Sequence, residues 1–472
     1  MMSLGPRASR PLMIMSGLDA RGSQDHDGRR QAMLSGPLVP TILTLAAPNV
    51  VNVSVQSLVL IADGWFVGRL GTAELAALAL VFPAQTTLQM MSAGAIGGGV
   101  ASSVARALGS GDRGKAEDAA AHALAIAAAM TVLFAVAFVG FGRPLFGALG
   151  GSGAALDGAV AFSTVMFLGC GAHWLANTLA SILRGTGDMH SPGMALIAMA
   201  ILQIPMSGAL TLGWAGVPKL GVAGPAAAAV ISYGIAALWI LRPFLAGRAA
   251  IRLRWPAHGF HWAAFADILK VGATSCVVVV LINAAVLVVT GLIGRAGDAA
   301  IAGYGVGSRL EYLLSPLTFG IGAALIAMVG TNKGARQFRR ARRVAWTGAL
   351  MAGAVTCAIG LIVALWPDLW LKLFTDDPAA LAAGRLYFRI VGPTYGFFGL
   401  AMALNFAAMG AGDMIWPTVA TVTRFVIAAG GGLLALDLLG WTAPGLYACV
   451  AAGMLAYSIL LAFSTTRRAW HV

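Results

Sequence analysis

Charge is what this chain has least of. Of 472 residues only 10% are Asp, Glu, Lys or Arg, against 59% hydrophobic, and the mean hydropathy is +0.83. So little charge excludes a chain wrapped in water; most of its surface must face lipid. Cysteine is scarce too. Cys170, Cys276, Cys357 and Cys449 fall on different apolar runs without CxxC spacing, which excludes a disulfide framework and a thiolate metal centre and leaves them as small core residues. The apolar/polar alternation of a transmembrane β-barrel is missing, and runs such as AAAAVISYGIAALWIL are continuous, so the spans are helices. There is no HExxH and no GxSxG. GSGDRGKA at 109–116 has the spacing of a phosphate-binding loop, but Ala116 stands where a hydroxyl would reach Mg²⁺, and no strand precedes it. The GAIGGG stretch at 94–99 opens no strand-to-helix turn either, and reads as glycine that lets membrane helices approach. The histidines are scattered; His173, alone within a span, reads as a packing residue. These absences exclude a nucleotide-driven pump and an intramembrane enzyme, and no cofactor is expected.

What the sequence does supply is apolar length. A helix crossing hydrocarbon takes about 20 mostly apolar residues. About twelve such runs are present, near 38–66, 75–105, 119–141, 158–183, 189–213, 221–246, 266–294, 299–330, 343–366, 380–408, 415–436 and 443–465. The formal net charge of +13 suggests nucleic acid until its distribution is read. Residues 1–37 and every second loop hold 22 of the 31 Lys and Arg, while the opposite side has six (Arg69, Arg143, Lys219, Arg295, Lys372 and Arg385). By the positive-inside rule both termini are cytoplasmic, as in a multi-pass protein of a bacterial inner membrane. KGARQFRRARR at 333–343 then reads as an orientation signal beside anionic lipid, so membrane lipid is an expected partner and nucleic acid is not. Residues 1–37 mix Gly, Ser, Arg and Asp without periodicity and read as a disordered cytoplasmic tail.

The chain also repeats itself. VGRLGTAELAALAL from Val67 recurs as IGRAGDAAIAGYGV from Ile293, pairing Gly68 with Gly294 and Arg69 with Arg295 at an offset of 226. RGTGDMHSP from Arg184 recurs as MGAGDMIWP from Met409 at an offset of 225, pairing Asp188 with Asp413 and Pro192 with Pro417. Two six-helix lobes follow, 38–247 and 265–466, joined by a basic cytoplasmic connector at 248–264 and closed by a cytoplasmic C-terminus at 467–472. The fold class expected is an all-α polytopic membrane protein of twelve transmembrane helices in two pseudo-symmetric lobes. Six is even, so both lobes begin on one side and their axis runs along the membrane normal, as in transporters built of parallel repeats that rock about a central site. Transport driven by an ion gradient is the leading class. A non-transporting receptor or scaffold is the alternative, and the sequence shows no sensor domain for it.

Of 18 carboxylates, only Asp63 and Glu311 lie well inside predicted helices. An acid at mid-span costs about 2.5–3.5 kcal/mol on insertion scales. At about 100° per residue, Asn49, Asn52, Gln56 and Asp63 share a sector of about 60°, a polar stripe up one side of the first helix. Burial disfavours the charged carboxylate and a nearby donor favours it, so changing hydration would load and unload a proton there. Alternatively, an ionised Asp63 with amide oxygens as neutral ligands would hold Na⁺. No structural metal is expected.

At these residues the chain resembles the multidrug and toxic compound extrusion (MATE) family over its whole length past the tail. The resemblance is carried by IADGWFVGRLG at the end of helix one, ALGSGDRGKAEDA and GTNKGARQFRRAR after helices two and eight, LRGTGD and MGAGDM before helices five and eleven, and GSRLEYLLSPLTFGIGAA in helix eight. It implies a V of two lobes around a central cavity, and export of small organic, often cationic compounds in exchange for H⁺ or Na⁺. In the family's proton-coupled branch the helix-one Asp works with an Asn and an Asp on helix five and a Thr on helix six; here those positions hold Gln203, Ser207 and Ala229. The sodium-coupled branch places carboxylates in helices seven and ten, where INAAVLVV and FFGLAMALNF, with Asn283 and Asn405, have none. The expected coupling set is therefore Asp63 with Gln56, Asn52, Gln203 and Ser207. Glu311, Arg309 and Arg424 fall on common family positions and, with Asn49, Tyr395, Phe398, Met402, Asn405 and Asn283, form the expected substrate cavity; Met90, Met91 and Phe406 would add adaptable apolar lining. Arg309 and Glu311, two apart on a helix, need not face each other, and Glu311 is expected to neutralise Arg424, either at the C-lobe cavity or as an inter-helix clamp with no part in transport. The chain is expected to act as a monomer. Flipping of a lipid-linked precursor is the rival within transport, and it would want a larger basic cavity.

Overall fold

The computed structural model describes residues 27–256, 259–295, 298–437 and 443–467, and these are almost wholly helical. Ten helices are long and apolar enough to cross a membrane: Leu38–Gly68, Thr72–Gly109, Arg113–Gly140, His190–Leu212, Gly221–Leu245, Trp262–Gly294, Phe338–Leu365, Pro378–Ala411, Ile415–Leu436 and Ala443–Thr466. The pair Gly153–Leu168 and Cys170–Gly185, bent by 47°, makes the fourth span. Asp298–Gly334, 37 residues long with Arg309 and Glu311 about a third of the way along it, completes the twelve as the eighth.

Hydropathy places most of these spans because each offers a long apolar run, but it does not see their irregularities. The second span passes through a π turn at Met90–Ala95, where the hydrogen-bond ladder lengthens by one residue and side chains are re-aimed. The N-lobe core gathers Phe162, Phe167, Trp174 and Leu183; that of the C-lobe gathers Tyr387, Phe388 and Tyr447.

The lobes meet through spans one and two against seven and eight. Small residues permit it: an added Cβ at Gly109, ending the second span, would collide with the backbone of Thr331 near the end of the eighth. Ser102 Oγ donates to the carbonyls of Met409 at 2.6 Å and Gly410 at 3.0 Å. Arg106 Nη2 reaches both oxygens of Asp267 at 2.8 and 2.7 Å, and Ser103 Oγ adds a third bond to that carboxylate at 2.6 Å. All of these contacts lie at the end of the spans that carries the termini, so the protein is shut on that side.

The expectation of a disordered segment reaching residue 37 needs correction. Residues 27–35 form a helix, lying across the closed end. Met33 is buried, Arg29 pairs with Asp188 of the N-lobe at 3.0 Å, and Asn332 and Arg340 of the C-lobe donate to the Met33 carbonyl at 3.0 and 3.4 Å. Its amphipathic contacts, invisible without the lobes, order it. Residues 1–26 lie outside the described residues. The connector is likewise fastened: Ala249 and Ile251 are buried, and the Arg252 amide donates to Glu117 at 2.9 Å.

Candidate functional sites in the two lobes

Asp63 sits five residues before the end of the first span, only 4% exposed and turned into the N-lobe. The hydroxyl of Ser207 on the fifth span donates to its Oδ1 at 2.5 Å. Spans one and five pack tightly there; an added Cβ at Gly208 would meet the ring of Phe66 at 2.8 Å. Gln203, one turn before Ser207, is also buried. The predicted pairing of Asp63 with helix five is present.

The rest of the stripe takes a different course. Asn49 is buried and donates to its own helix at Leu45. Gln56 donates to Asn52 at 3.3 Å and accepts from Gln89 at 2.9 Å, which draws both amides toward the second span. Gln56 and Asp63 stand two helical turns apart, about 10 Å. Among the described residues no hydrogen bond joins the amides to the carboxylate.

Gln89 opens a second polar system that the sequence reading missed. Its Oε1 accepts from Tyr233 at 3.2 Å and lies 3.1 Å from His173 Nε2, so His173 carries its hydrogen on Nε2 there. The His173 and Tyr233 rings stack with centroids 3.3 Å apart. Asn177 donates to Ser92 at 3.0 Å.

In the C-lobe, the Glu311 carboxylate accepts from the Tyr387 hydroxyl and interacts electrostatically with Arg424. Arg424 is 8% exposed, its guanidinium 5.1 Å from the Phe398 ring centroid and 5.8 Å from that of Tyr457. This caged cation beside an acid brings Glu311, Arg424 and Phe398 together as expected. Met402 joins them through the Tyr457 hydroxyl, and Asn405 is buried one turn beyond Met402. Three expectations are corrected. Arg309 is exposed and stacks over Phe374 at 5.3 Å, because its position on the helix carries it toward the loop after the ninth span. Asn283 is exposed and donates to Val279 of its own helix. Tyr395 is fully buried among the C-lobe aromatics, where it packs rather than lines. Tyr387 and Tyr457 were missed; each lies far from its partner in sequence and inside no motif.

Asp118, His122 and His261 bring ligand atoms within 4.8 Å of one another. Hydrogen bonding decides against a metal centre. His122 Nε2 accepts the His261 amide hydrogen at 3.1 Å, so the ring proton resides on Nδ1, 2.8 Å from the Asp118 carbonyl. Both ring nitrogens are occupied, and the cluster serves to pin the connector to the third span.

Two six-helix lobes, one holding a buried acid and the other a caged cation, define a two-lobed membrane transporter. The MatE family model matches residues 48–207 and 274–433, and the second match begins 226 residues after the first (274 − 48), the internal repeat offset. The chain belongs to the MatE family. It is 30% identical to the probable multidrug resistance protein NorM of Deinococcus radiodurans, over 88% of this chain and 92% of that one. It is 27% identical to the FAD transporter of Shewanella oneidensis, over 80% and 84%. Among solved structures it superposes on a MOP superfamily transporter from Pyrococcus furiosus with a TM-score of 0.84, over 92% and 96% of the two chains at 22% identity. An outward-facing MATE transporter matches at 0.84 over 94% and 97%, also at 22% identity.

Proposed function

We propose that the protein is a secondary active antiporter of a bacterial inner membrane, with both termini cytoplasmic, exporting organic cationic or amphipathic compounds as its lobes alternate. The observation that carries this reading is Asp63: a carboxylate 4% exposed whose one described hydrogen-bond donor is a serine hydroxyl. Such a group is costly to leave charged and easy to load. Its surroundings favour H⁺ over Na⁺, since the Asn52 and Gln56 oxygens on its own helix, which would help complete a sodium shell, accept hydrogen bonds from Gln56 and Gln89 instead. With the terminal-bearing side shut, we read the arrangement as outward-facing. Glu311 and Arg424 neutralise each other in the C-lobe, beside an aromatic wall suited to planar organic cargo.

A second reading, export of an anionic flavin nucleotide, takes support from the Shewanella relative and from the caged Arg424. Efflux of a cationic dye and of a flavin nucleotide from everted vesicles, under imposed pH or Na⁺ gradients, tests both. Wild type should respond to the pH gradient and Asp63→Asn should not. Efflux insensitive to both gradients would overturn antiport.

A further inference from the structure

The GSGDRGKA stretch at 109–116 joins the second span to the third at the closed end, and it serves neither Asp63 nor the caged cation of the C-lobe. Gly111 there has φ +82°, a left-handed turn that favours glycine. The turn lies against the helix 27–35: an added Cβ at Gly111 would stand 4.0 Å from Arg30 Nη2, and that nitrogen donates to the Gly109 carbonyl at 3.3 Å. Beside them is a cavity of about 390 Å³.

Every part of the closed end contributes to its wall. Arg30 comes from the helix 27–35, Arg113 from the turn, Thr186 from just past the fourth span, Arg252 from the connector and Thr331 from the C-lobe. Asp27 is the one acid among the lining residues against three arginines, a net lining charge of +2 (3 − 1). Protein answers these arginines poorly. Arg30 Nε is buried with no hydrogen-bond partner among the described residues. Arg113 stands 3.5 Å from Glu117, longer than a normal hydrogen bond. Arg252 gives its backbone amide to Glu117 at 2.9 Å, while its guanidinium has no partner among the described residues. The C-lobe differs: Arg340, at the place of Lys115 by the 225-residue offset, donates directly to the carbonyls of Met33 and Gly36. Helix 27–35 is thus bonded to the C-lobe by an arginine, and on the N-lobe side a basic space remains beside Arg30.

Guanidinium groups present planar forks of donors that match phosphate oxygens, and three of them lining one space repel a metal cation. No metal is called for either: Ala116, where a loop of this spacing would offer a hydroxyl to Mg²⁺, is apolar and fully buried. We propose that this cavity is a site for a phosphate-bearing anion, soluble or the headgroup of an anionic lipid, which fastens the helix 27–35 to the turn at 109–113 and to the connector. Its wall is complete only while the lobes meet on this side, because Thr331 packs there against Gly109 from the C-lobe. The occupant therefore favours the closed arrangement by binding it better than an open one. The site needs neither Asp63 nor an ion gradient, so it stands or falls apart from the antiport reading.

The test uses delipidated full-length protein in nonionic detergent and two probes, inorganic pyrophosphate and phosphatidylglycerol. Calorimetry at fixed ionic strength measures the first; native mass spectrometry counts retained copies of the second against phosphatidylcholine. At least one should bind saturably, pyrophosphate alone marking a soluble source and phosphatidylglycerol alone a lipid one. Arg30→Gln and Arg252→Gln should each weaken that binding about tenfold, the loss expected for one charge-assisted hydrogen bond. Arg254→Gln, on the connector but outside the cavity, should leave it unchanged. Hydrogen exchange across 27–35 should slow when the probe is bound. In the wild type the bound probe should also shield Arg30 and Arg252, but not Arg254, from phenylglyoxal, which decides the matter if the variants do not fold. Binding of neither probe would overturn the proposal. So would binding that folded Arg30→Gln and Arg252→Gln proteins retain in full, shielding no greater at Arg30 and Arg252 than at Arg254, or exchange across 27–35 that the bound probe leaves unchanged.

Discussion

Replacing Arg106 with Gln should loosen the closed side of the protein by a calculable amount. Arg106 Nη2 binds both oxygens of Asp267 across the lobes at 2.8 and 2.7 Å, with the arginine side chain 17% and the aspartate 51% exposed. A charge-assisted pair sheltered from water contributes about 1.5–3 kcal/mol, while exposed pairs are screened to about 0.2–1 kcal/mol. With one partner sheltered and the other half in solvent, about 1 kcal/mol is the working value, which multiplies the population open on this side about fivefold. A cysteine introduced at Ala105, which is fully buried and faces Gly330 across the lobe interface, reports that population. In a background lacking the four native cysteines, a membrane-impermeant maleimide should label Ala105→Cys about fivefold faster in the Arg106→Gln protein. Asp267→Asn should have the same effect, and the double variant should add little to either change. Salt at 1 M, where the screening length is about 3 Å, should shrink the difference. Equal labelling rates for folded wild-type and Arg106→Gln proteins would refute the assignment of this pair as the latch.

Ser207→Ala removes the hydroxyl that donates to Asp63, a bond to a charged acceptor that contributes about 1.5–3 kcal/mol. The ionised carboxylate gains more from that donor than the neutral acid does, so the pH profile of gradient-driven efflux should move toward higher pH, and an unmoved profile would count against a coupling role. Arg424→Met alone leaves Glu311 without its cation and should destabilise the protein by about 3 kcal/mol, whereas adding Glu311→Gln should restore most of the loss. Thermal unfolding of the three proteins in detergent checks this, and a single variant as stable as wild type would show the two charges to be uncoupled. In the loop after the ninth span, hydrogen bonding from Arg385, aided by nearby Lys372, holds the Asp368 carboxyl below its ordinary 3.8. Because its value is depressed on folding, the stabilisation is complete above 3.8 and fades as pH falls below it. Hydrogen exchange across 366–377, corrected for intrinsic rates, should therefore rise below pH 3.8 and not above it.

The twelve spans and the duplication were legible because both are properties of composition along the chain: long apolar runs and a repeated spacing of Gly, Arg and Asp. Asp63 was legible because helical geometry alone aligns it with amides. Its partner Ser207 was reached only through the family pattern, since nothing local links residues 144 apart. Arg184, one of the 22 Lys and Arg that the count places on the positive side, is instead buried; beside a Gly-containing turn its charge looks exposed until the packed second span is placed against it. The Gln89, His173 and Tyr233 group was hidden for the same reason, being drawn from three helices with no shared motif. Glu311 stood out as an acid in a span, but the tyrosines around it did not. Aromatic residues occur throughout membrane helices, and only tertiary packing says which hydroxyl finds a carboxylate.

The short helix at 27–35 sits on both halves of the molecule at once, held by Arg29 to Asp188 on one side and by Asn332 and Arg340 on the other. Its grip exists only while those halves are together, so it makes the arrangement that looks away from the termini the resting one. On the antiport reading proposed above, the working cycle would then start with an ion arriving from outside, and cargo would be admitted only after this clasp lets go. On that same reading, a bulky fusion placed just ahead of residue 27 would hold the clasp open and shorten that wait.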